Sequence, residues 1–302
     1  MELQSRFRGT LLGLACGDAV GTTVEFKPRG SFEPVTDMVG GGPFRLPPGA
    51  WTDDTSMALC LATSLVEKHG FDPVDQMERY VNWNLDGYLS SVGRCFDIGM
   101  ATRRALHKFM RSKDPFSGDP DPHTAGNGSI MRLAPIPMFF YFDREQAIAM
   151  SGESSRTTHG ASECIEACKL FGGILHAAFS GASREDCLFG HGVEGLTCDS
   201  IRAIAAGEYR SKQLNEIFGS GYVVKSLEAA LWCFLKSRSF EESIIRATNL
   251  GDDADTTAAV CGQIAGAHYG EEGIPAKWLK RLVMCNEIRD LANRLWQCQA
   301  AR

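Results

Sequence analysis

Apolar residues recur every three or four positions along most of the chain, and this spacing predicts amphipathic helices. The stripe over residues 7–15 marks one face of a first helix, and the stripe over 57–66 marks the next. Further apolar stripes cover residues 96–110, 162–179, 225–235, 240–248, 257–267 and 276–296. No segment of any length alternates apolar and polar residues with the period of two that is typical of a strand. We therefore expect an all-α protein.

The segments between the stripes are rich in glycine and proline, as at residues 39–49, 112–123 and 218–223, and are predicted to be loops. No shift in composition, long linker or repeat of fixed period divides the 302 residues. With 44% hydrophobic and 23% charged residues, the chain has the composition of a globular protein. Residues 1–302 are therefore expected to form a single compact domain of many short helices.

Charge and cysteine content narrow the possible partners and the compartment. The net charge of −6, without a run of lysine or arginine, argues against a nucleic acid partner. No apolar run approaches the roughly 18 residues of a membrane span, so no membrane partner is expected. Eleven scattered cysteines, without a CxxC pair or a secretory leader, predict a reducing, cytoplasmic setting.

Two segments place several carboxylates and hydroxyls directly before an apolar stripe. The first is "TDDT" at residues 52–55, and the second is "DDADTT" at residues 252–257. Each is compatible with an ordinary helix start, because Asp and Thr side chains cap free N–H groups and carboxylates favour the positive end of the helix dipole. One side chain is enough for a cap, however, and each segment supplies two or three carboxylates.

The alternative is a metal site. Carboxylate and hydroxyl oxygens without neighbouring Cys or His suit Mg²⁺ or Mn²⁺ better than Zn²⁺ or copper. Two such clusters facing each other across a cleft can hold two ions about 3.5–4 Å apart and generate a nucleophilic hydroxide. Spacing along the chain does not choose between this reading and the helix start.

Three further segments carry candidate chemistry. In "CGDAVGTTVEF" (16–26), Asp18 ends the first predicted helix and Glu25 follows in a loop. The "GNGS" of residues 126–129 offers unobstructed backbone N–H groups before an apolar run, either as a phosphate cradle or as a capping turn. In "SSRTTHG" (154–160), His159 is either a ligand-facing hydrogen-bonding group or a buried imidazole with internal partners.

Taken together and in order, these segments resemble the ADP-ribosylglycohydrolase family, especially its bacterial branch of dinitrogenase reductase-activating glycohydrolases. The resemblance covers nearly the whole chain. It is carried by "GLACGDAVGTTVEF", "GGGPFRLPPGAWTDDTSMAL", "GNGSIMRLAPI", "TTHG", "GDDADTTAAVCGQIAGAHYG" and "IPAKWL". Each motif is weak by itself, and their common order makes the resemblance specific.

The resemblance implies an all-α fold with a binuclear Mg²⁺ or Mn²⁺ centre on the floor of an ADP-ribose cleft. It assigns metal ligation to Thr52, Asp53, Asp54, Asp253, Asp255 and Thr256. Glu25 falls on the acidic residue beside the metals and the scissile ribose, and Asp97 of "FDIGMATRRAL" on the residue that faces the modified side chain. With Asp253, these two are the expected catalytic carboxylates.

The resemblance also implies the substrate contacts. It places Asn127, Gly128, Ser129, Met131 and Arg132 on the diphosphate and riboses, His159 on another ligand contact, and Tyr222 on the adenine ring by stacking. The metals are expected to orient the ribose hydroxyls and lower the pKa of a bound water, from which Glu25 or a metal-held carboxylate takes a proton.

The implied activity is hydrolysis that removes ADP-ribose from a modified protein, with arginine as the expected linkage and ADP-ribose as the product. Two positions depart from the family pattern: Met100 stands where a polar residue is usual, and Asp252 where a glycine is usual. The first leaves other substrates open, namely ADP-ribosyl-serine, ADP-ribosylated nucleic acid or O-acyl-ADP-ribose. A non-catalytic ADP-ribose binder is the remaining alternative, although the preserved carboxylates favour an enzyme.

Overall fold

The computed structural model describes the backbone of residues 2–300 and the side chains of residues 2–298, and this part of the chain is helical. Its α-helices are α1 (Leu3–Gly21), α2 (Asp53–Lys68), α3 (Pro73–Asp86), α4 (Met100–Ser112), α5 (Pro135–Phe139), α6 (Arg144–Arg156), α7 (Ser162–Phe179), α8 (Arg184–Phe189), α9 (Asp199–Ala205), α10 (Val223–Leu235), α11 (Phe240–Thr248), α12 (Ala254–Tyr269), α13 (Ala276–Arg281) and α14 (Cys285–Ala300). Short 3₁₀ turns lie at Thr22–Val24, Pro122–Thr124, Glu208–Ser211, Leu214–Glu216 and Glu271–Gly273. The described residues contain only isolated β-bridges and no strand, so the all-α prediction is confirmed.

The apolar stripes locate most of the long helices, with two adjustments. The stripe over 96–110 begins before its helix, because Gly99 is the N-cap of α4 and Asp97 has a positive φ of 57°. The stripe over 276–296 is divided between α13 and α14, because Leu282 is extended and Met284 adopts a φ of 56°. Helices α3 and α6 carry no stripe that we predicted, although Asp72 before Pro73 is a strong start signal for α3.

Helices α1 and α12 pack against each other backbone to backbone. Four glycines at every fourth position of α1 face α12, and a Cβ at any of them would lie 2.1–2.5 Å from its backbone. The pairs of closest approach run antiparallel: Gly9 with Gly266, Gly13 with Gly262, Gly17 with Ala258, and Gly21 with Asp255. This packing places the C-terminal end of α1 directly beside the N-terminal end of α12.

The start of α2 is attached to the same place by a buried carboxylate. Asp18, in the last turn of α1, accepts hydrogen bonds from the backbone N–H and hydroxyl of Thr52 and of Thr55, at 2.7–3.1 Å. The N-cap residue Thr52 itself makes no side-chain cap. The ends of three helices therefore meet at one point, with both acidic segments on them.

One hydrophobic cluster contains buried residues from Phe7 in α1 to Leu295 in α14. This is consistent with the predicted single domain, whose residues 1, 301 and 302 lie outside the described residues. Among the helices described here, none has the length and apolar character needed to cross a membrane.

Candidate active site

A cleft of about 700 Å³ opens where α1, α2 and α12 meet. Seven carboxylates line it: Glu25, Asp53, Asp54, Asp97, Asp252, Asp253 and Asp255. The lining residues that the structure describes include no lysine or arginine. The two acidic segments, far apart in sequence, therefore face one cavity together with Glu25 and Asp97.

The inner carboxylates repel one another at a place where water does not screen them. Burial first, and then the neighbouring carboxylates, raise the pKa of Asp53, Asp54 and Asp255 well above its usual range. The same causes raise the pKa of Glu25 to about 9 and that of Asp97 to about 7. The fold itself does not neutralise this concentration of negative charge, so the cleft favours a bound cation.

Two observations on individual atoms fit a metal ion. Asp54 Oδ1 accepts a hydrogen bond from Thr256 Oγ1 at 3.2 Å, while Asp54 Oδ2 is buried and has no partner. A buried oxygen without a hydrogen bond is costly, and a cation removes that cost. Glu25, Asp97 and Asp255 each bring one carboxylate oxygen within 4.8 Å of the other two, a spacing that suits a shared ion. The all-oxygen donor set is the one that Mg²⁺ and Mn²⁺ prefer.

The predicted metal ligands lie at different depths. Asp53, Asp54, Asp253, Asp255 and Thr256 line the cleft. Thr52 does not line it; its hydroxyl is fully buried, donates to Asp18 Oδ1 at 3.0 Å and lies 3.4 Å from Asp255 Oδ2. Thr52 thus sits directly beneath the carboxylates.

The glycine-rich loop at residues 126–129 also lines the cleft, and neighbouring residues of the protein hold it in position. Asn127 Nδ2 donates to Asp253 Oδ2 at 2.8 Å and to Ser226 Oγ at 3.2 Å, which fixes the loop to the second acidic segment. A Cβ on Gly128 would lie 2.7 Å from His159 Cε1, so the imidazole packs against the loop where only glycine fits. Asn127, Gly128, Met131 and His159 all line the cleft.

The sequence left two roles open for His159, a group that faces the ligand or a buried imidazole with internal partners. The structure combines them, because His159 lines the cleft and is buried. Its Nδ1 lies 2.8 Å from Thr158 Oγ1. Burial, and then the positive charge of Arg132, lower the pKa of His159 to about 3. The ring is therefore neutral at physiological pH and serves as a hydrogen-bonding wall.

Two residues that were predicted to contact the substrate turn their side chains into the protein interior. Ser129 Oγ accepts from Ser155 Oγ at 3.0 Å and from Cys168 Sγ at 3.4 Å, on the side of α6 and α7. Arg132 is fully buried, donates to Thr158 Oγ1 at 2.7 Å and stacks over the ring of Tyr80 at 4.6 Å. Arg132 thus supports the loop that carries His159 and does not line the cleft.

Tyr222 lies in a second cavity, of about 1030 Å³, which adjoins the cleft. The two cavities share Met100, Ala101, Gly126 and Gly221 as lining residues. The ring of Tyr222 is 40% exposed, and its hydroxyl donates to both carboxylate oxygens of Glu163 at 2.7 Å. An elongated ligand in the cleft can therefore continue past Gly126 to this ring.

Several residues of the site were not predicted from the sequence, and Met100 and Asp252, the two positions that depart from the family pattern, had no explanation there. Asp18 was seen at the end of the first helix, but nothing in its spacing signalled that it holds the start of α2. Asp252 has a φ of 56°, the left-handed conformation that glycine adopts most easily, which explains why a glycine is usual at this position.

Met100 is 69% exposed at the start of α4 and lines both cavities. Phe26 and Thr102 also line the cleft and were not predicted.

Comparison with known proteins agrees with this geometry. The chain is 48% identical over 291 residues to the ADP-ribosylarginine hydrolase Tri1 of Pseudomonas putida (strain GB-1), covering 96% of this chain and 78% of that protein. It is 46% identical over 295 residues to the ADP-ribosylarginine hydrolase Tri1 of Serratia proteamaculans (strain 568), covering 98% of this chain and 80% of that protein.

A solved structure described as an ADP-ribosylglycohydrolase-related protein complex superposes with a TM-score of 0.85 at 43% identity, over 98% of this chain and 99% of that one. The family model for ADP-ribosylglycohydrolase matches residues 1–302. The chain belongs to the ADP-ribosylglycohydrolase family.

Proposed function

We propose that the protein is a metal-dependent hydrolase that removes ADP-ribose from ADP-ribosylated arginine side chains of proteins. The observation that carries this proposal is the cluster of carboxylates lining the cleft, in which Asp54 has a buried oxygen without a hydrogen-bond partner. The two relatives at 46–48% identity, both ADP-ribosylarginine hydrolases, support arginine as the linkage.

Two divalent cations, Mg²⁺ or Mn²⁺, form part of this proposal. Their ligands are Asp53, Asp54, Asp253, Asp255 and Thr256, with Thr52 supporting Asp255 from below. When bound, such ions lower the pKa of a coordinated water and neutralise the diphosphate-bearing substrate. The hard oxygen donors and the excess negative charge of the cleft support this assignment.

Glu25 and Asp97 act on the bond that is broken. The raised pKa of Glu25 belongs to the cleft without cations, and two bound cations would lower it so that the group is a carboxylate at neutral pH. Glu25, only 3% exposed, then takes a proton from the water whose oxygen bonds to C1″ of the ribose. The C1″–N bond to the guanidine breaks in the same reaction, and the released guanidine takes up the proton that Glu25 removed from the water and becomes guanidinium. Asp97, within 4.8 Å of Glu25, attracts that positive charge and orients the arginine.

The rest of ADP-ribose extends away from these carboxylates. The backbone N–H of Gly128 faces the diphosphate, whereas that of Asn127 donates to the carbonyl oxygen of Gly221 at 3.0 Å and holds the loop in place. His159 supplies a neutral hydrogen-bonding edge. The adenosine continues into the adjoining cavity, where the exposed face of Tyr222 stacks on the adenine. The lining residues shared by the two cavities support this path.

The proposed function is tested by measuring the release of ADP-ribose from a protein that is ADP-ribosylated on arginine. We expect release of ADP-ribose with Mg²⁺ or Mn²⁺, no release with a chelator, and no release by Asp53→Ala. Asp290→Ala, which removes an exposed carboxylate from α14, is the matched control and should keep full activity. Release from serine-linked protein or from ADP-ribosylated nucleic acid, but not from arginine, would refute the linkage. Tight ADP-ribose binding without turnover of any substrate would identify a binder instead.

A further inference from the structure

A small groove of about 350 Å³ lies beside the cleft and takes no part in the function proposed above. Its lining consists of residues 43–47 together with Val92, Arg94 and Phe96, and we call it the aromatic groove. We infer that the aromatic groove binds the polypeptide segment next to the modified arginine, through apolar and acidic side chains of the substrate protein. This inference rests on the proposed function and adds the choice of target sequence to it.

The aromatic groove is continuous with the carboxylate wall of the cleft. The ring of Phe44 packs edge-on against Phe26 and Phe96, with ring centroids 6.5 and 5.2 Å apart. Phe26 follows Glu25 in the chain, lines the cleft and is 65% exposed, while Phe96 directly precedes Asp97. The row of three rings therefore leads from the two carboxylates at the scissile bond out to the protein surface.

The position of this row decides which part of the substrate reaches it. ADP-ribose occupies the cleft and the cavity of Tyr222, which shares no lining residue with the aromatic groove. The arginine leaves C1″ at Glu25 and Asp97, so the polypeptide that carries it lies on their side of the cleft. Phe26 is exposed, and Phe44 and Phe96 are half-buried. Aromatic rings that are partly accessible beside a reaction centre are typical of surfaces that bind a partner.

The charges of the groove indicate the chemistry of that segment. Arg45 and Arg94 are exposed, and within residues 2–298 neither guanidinium pairs with a carboxylate. Two unpaired arginines beside the acidic cleft attract acidic side chains, which the seven carboxylates of the cleft itself repel. The rings of Phe44 and Phe96 between them supply the apolar contact.

Two synthetic peptides with one ADP-ribosylated arginine test this inference. One has glutamate and leucine beside the arginine, the other has lysine and serine, and free ADP-ribosylarginine serves as the reference. We expect the wild-type protein to hydrolyse the acidic peptide with a kcat/KM at least about tenfold higher than the lysine peptide, through KM. Raising the salt concentration should reduce this preference, because the arginines are exposed.

The double variant Arg45→Glu, Arg94→Glu should lose or reverse that preference while it hydrolyses free ADP-ribosylarginine like the wild type. Arg238→Glu, at an exposed arginine outside the three cavities described here, is the matched control and should keep the preference. An equal kcat/KM for both peptides, or an equal loss on the peptides and the free compound, would overturn the inference. No hydrolysis of any of the three compounds by the wild-type protein would instead refute the proposed function.

Discussion

Replacing Gly17 by alanine should damage the active site through the packing of two helices. The new Cβ would lie 2.1 Å from the carbonyl oxygen of Ala258, a backbone atom of α12. To reach a normal separation of about 3.5 Å, the helices have to move apart by more than about 1 Å at this point. Asp18 follows Gly17 directly, and Asp255 lies one turn from Ala258, so the same movement separates the acidic segments.

The magnitude follows from these distances. Overpacking of this kind costs about 1–3 kcal/mol, and the gain from alanine in a helix returns at most about 1 kcal/mol. Because the obstacle is backbone, we expect the upper part of the range and a net loss of about 2 kcal/mol, or a Tm about 4 °C lower. Metal ligands tolerate displacements of only about 0.2 Å, so activity should fall by about 100-fold.

The assays are thermal unfolding with and without Mn²⁺, and hydrolysis of ADP-ribosylarginine. Gly70→Ala is the matched control, because a Cβ there meets only one atom, 4.0 Å away, and its backbone is not left-handed. It should leave both Tm and activity unchanged. A Gly17→Ala protein with wild-type Tm and wild-type metal-dependent activity would contradict the close packing of α1 on α12 and its role in holding the site.

Three further predictions follow from the site. Asp18→Asn should lower the metal affinity, and it should lower the free energy of unfolding by about 2–4 kcal/mol. The reason is that an amide accepts with one oxygen, whereas the carboxylate accepts from Thr52 and Thr55 with two. Calorimetry with Mn²⁺ checks the affinity, and an unchanged affinity would refute the prediction. In the metal-free protein, the raised carboxyl pKa values mean that the native state binds more protons than the unfolded state, so Tm should fall as pH rises from about 4 to about 9. Added Mg²⁺ or Mn²⁺ should then raise Tm more at pH 8 than at pH 5, and an equal rise would contradict the metal assignment. Tyr222→Ala should raise the Kd for ADP-ribose about tenfold through lost stacking, with Tyr222→Phe as control and the Kd of ribose 5-phosphate unchanged.

Local sequence patterns are enough to locate most of the helices and both acidic segments. The period of 3–4 in apolar residues identifies α2, α7 and α11 because a helix buries one face, whatever its neighbours are. The excess of carboxylates at residues 52–55 and 252–257 likewise signals more than a cap, and in the structure neither N-cap residue, Thr52 or Asp253, makes a side-chain cap.

The directions of side chains were decided by tertiary packing. Ser129 and Arg132 belong to a motif that implied substrate contact, yet α6 and α7 offer their polar groups internal partners, and both side chains turn inward. The motif fixes where the backbone of the loop lies. It does not fix which of its side chains reach the cleft.

Residues 52–55 and 252–257 are about 200 positions apart, and the sequence by itself determined only that each is a ligand-rich helix start. Their meeting depends on the glycines of α1, which allow α12 to approach within backbone contact, and on Asp18, which holds the start of α2 there. Glycine at every fourth position is a weak signal, since its effect depends on which helix packs against it. The chemistry of each segment is therefore local, whereas the cleft they form depends on the backbone contact of α1 with α12 and on the attachment of α2 by Asp18.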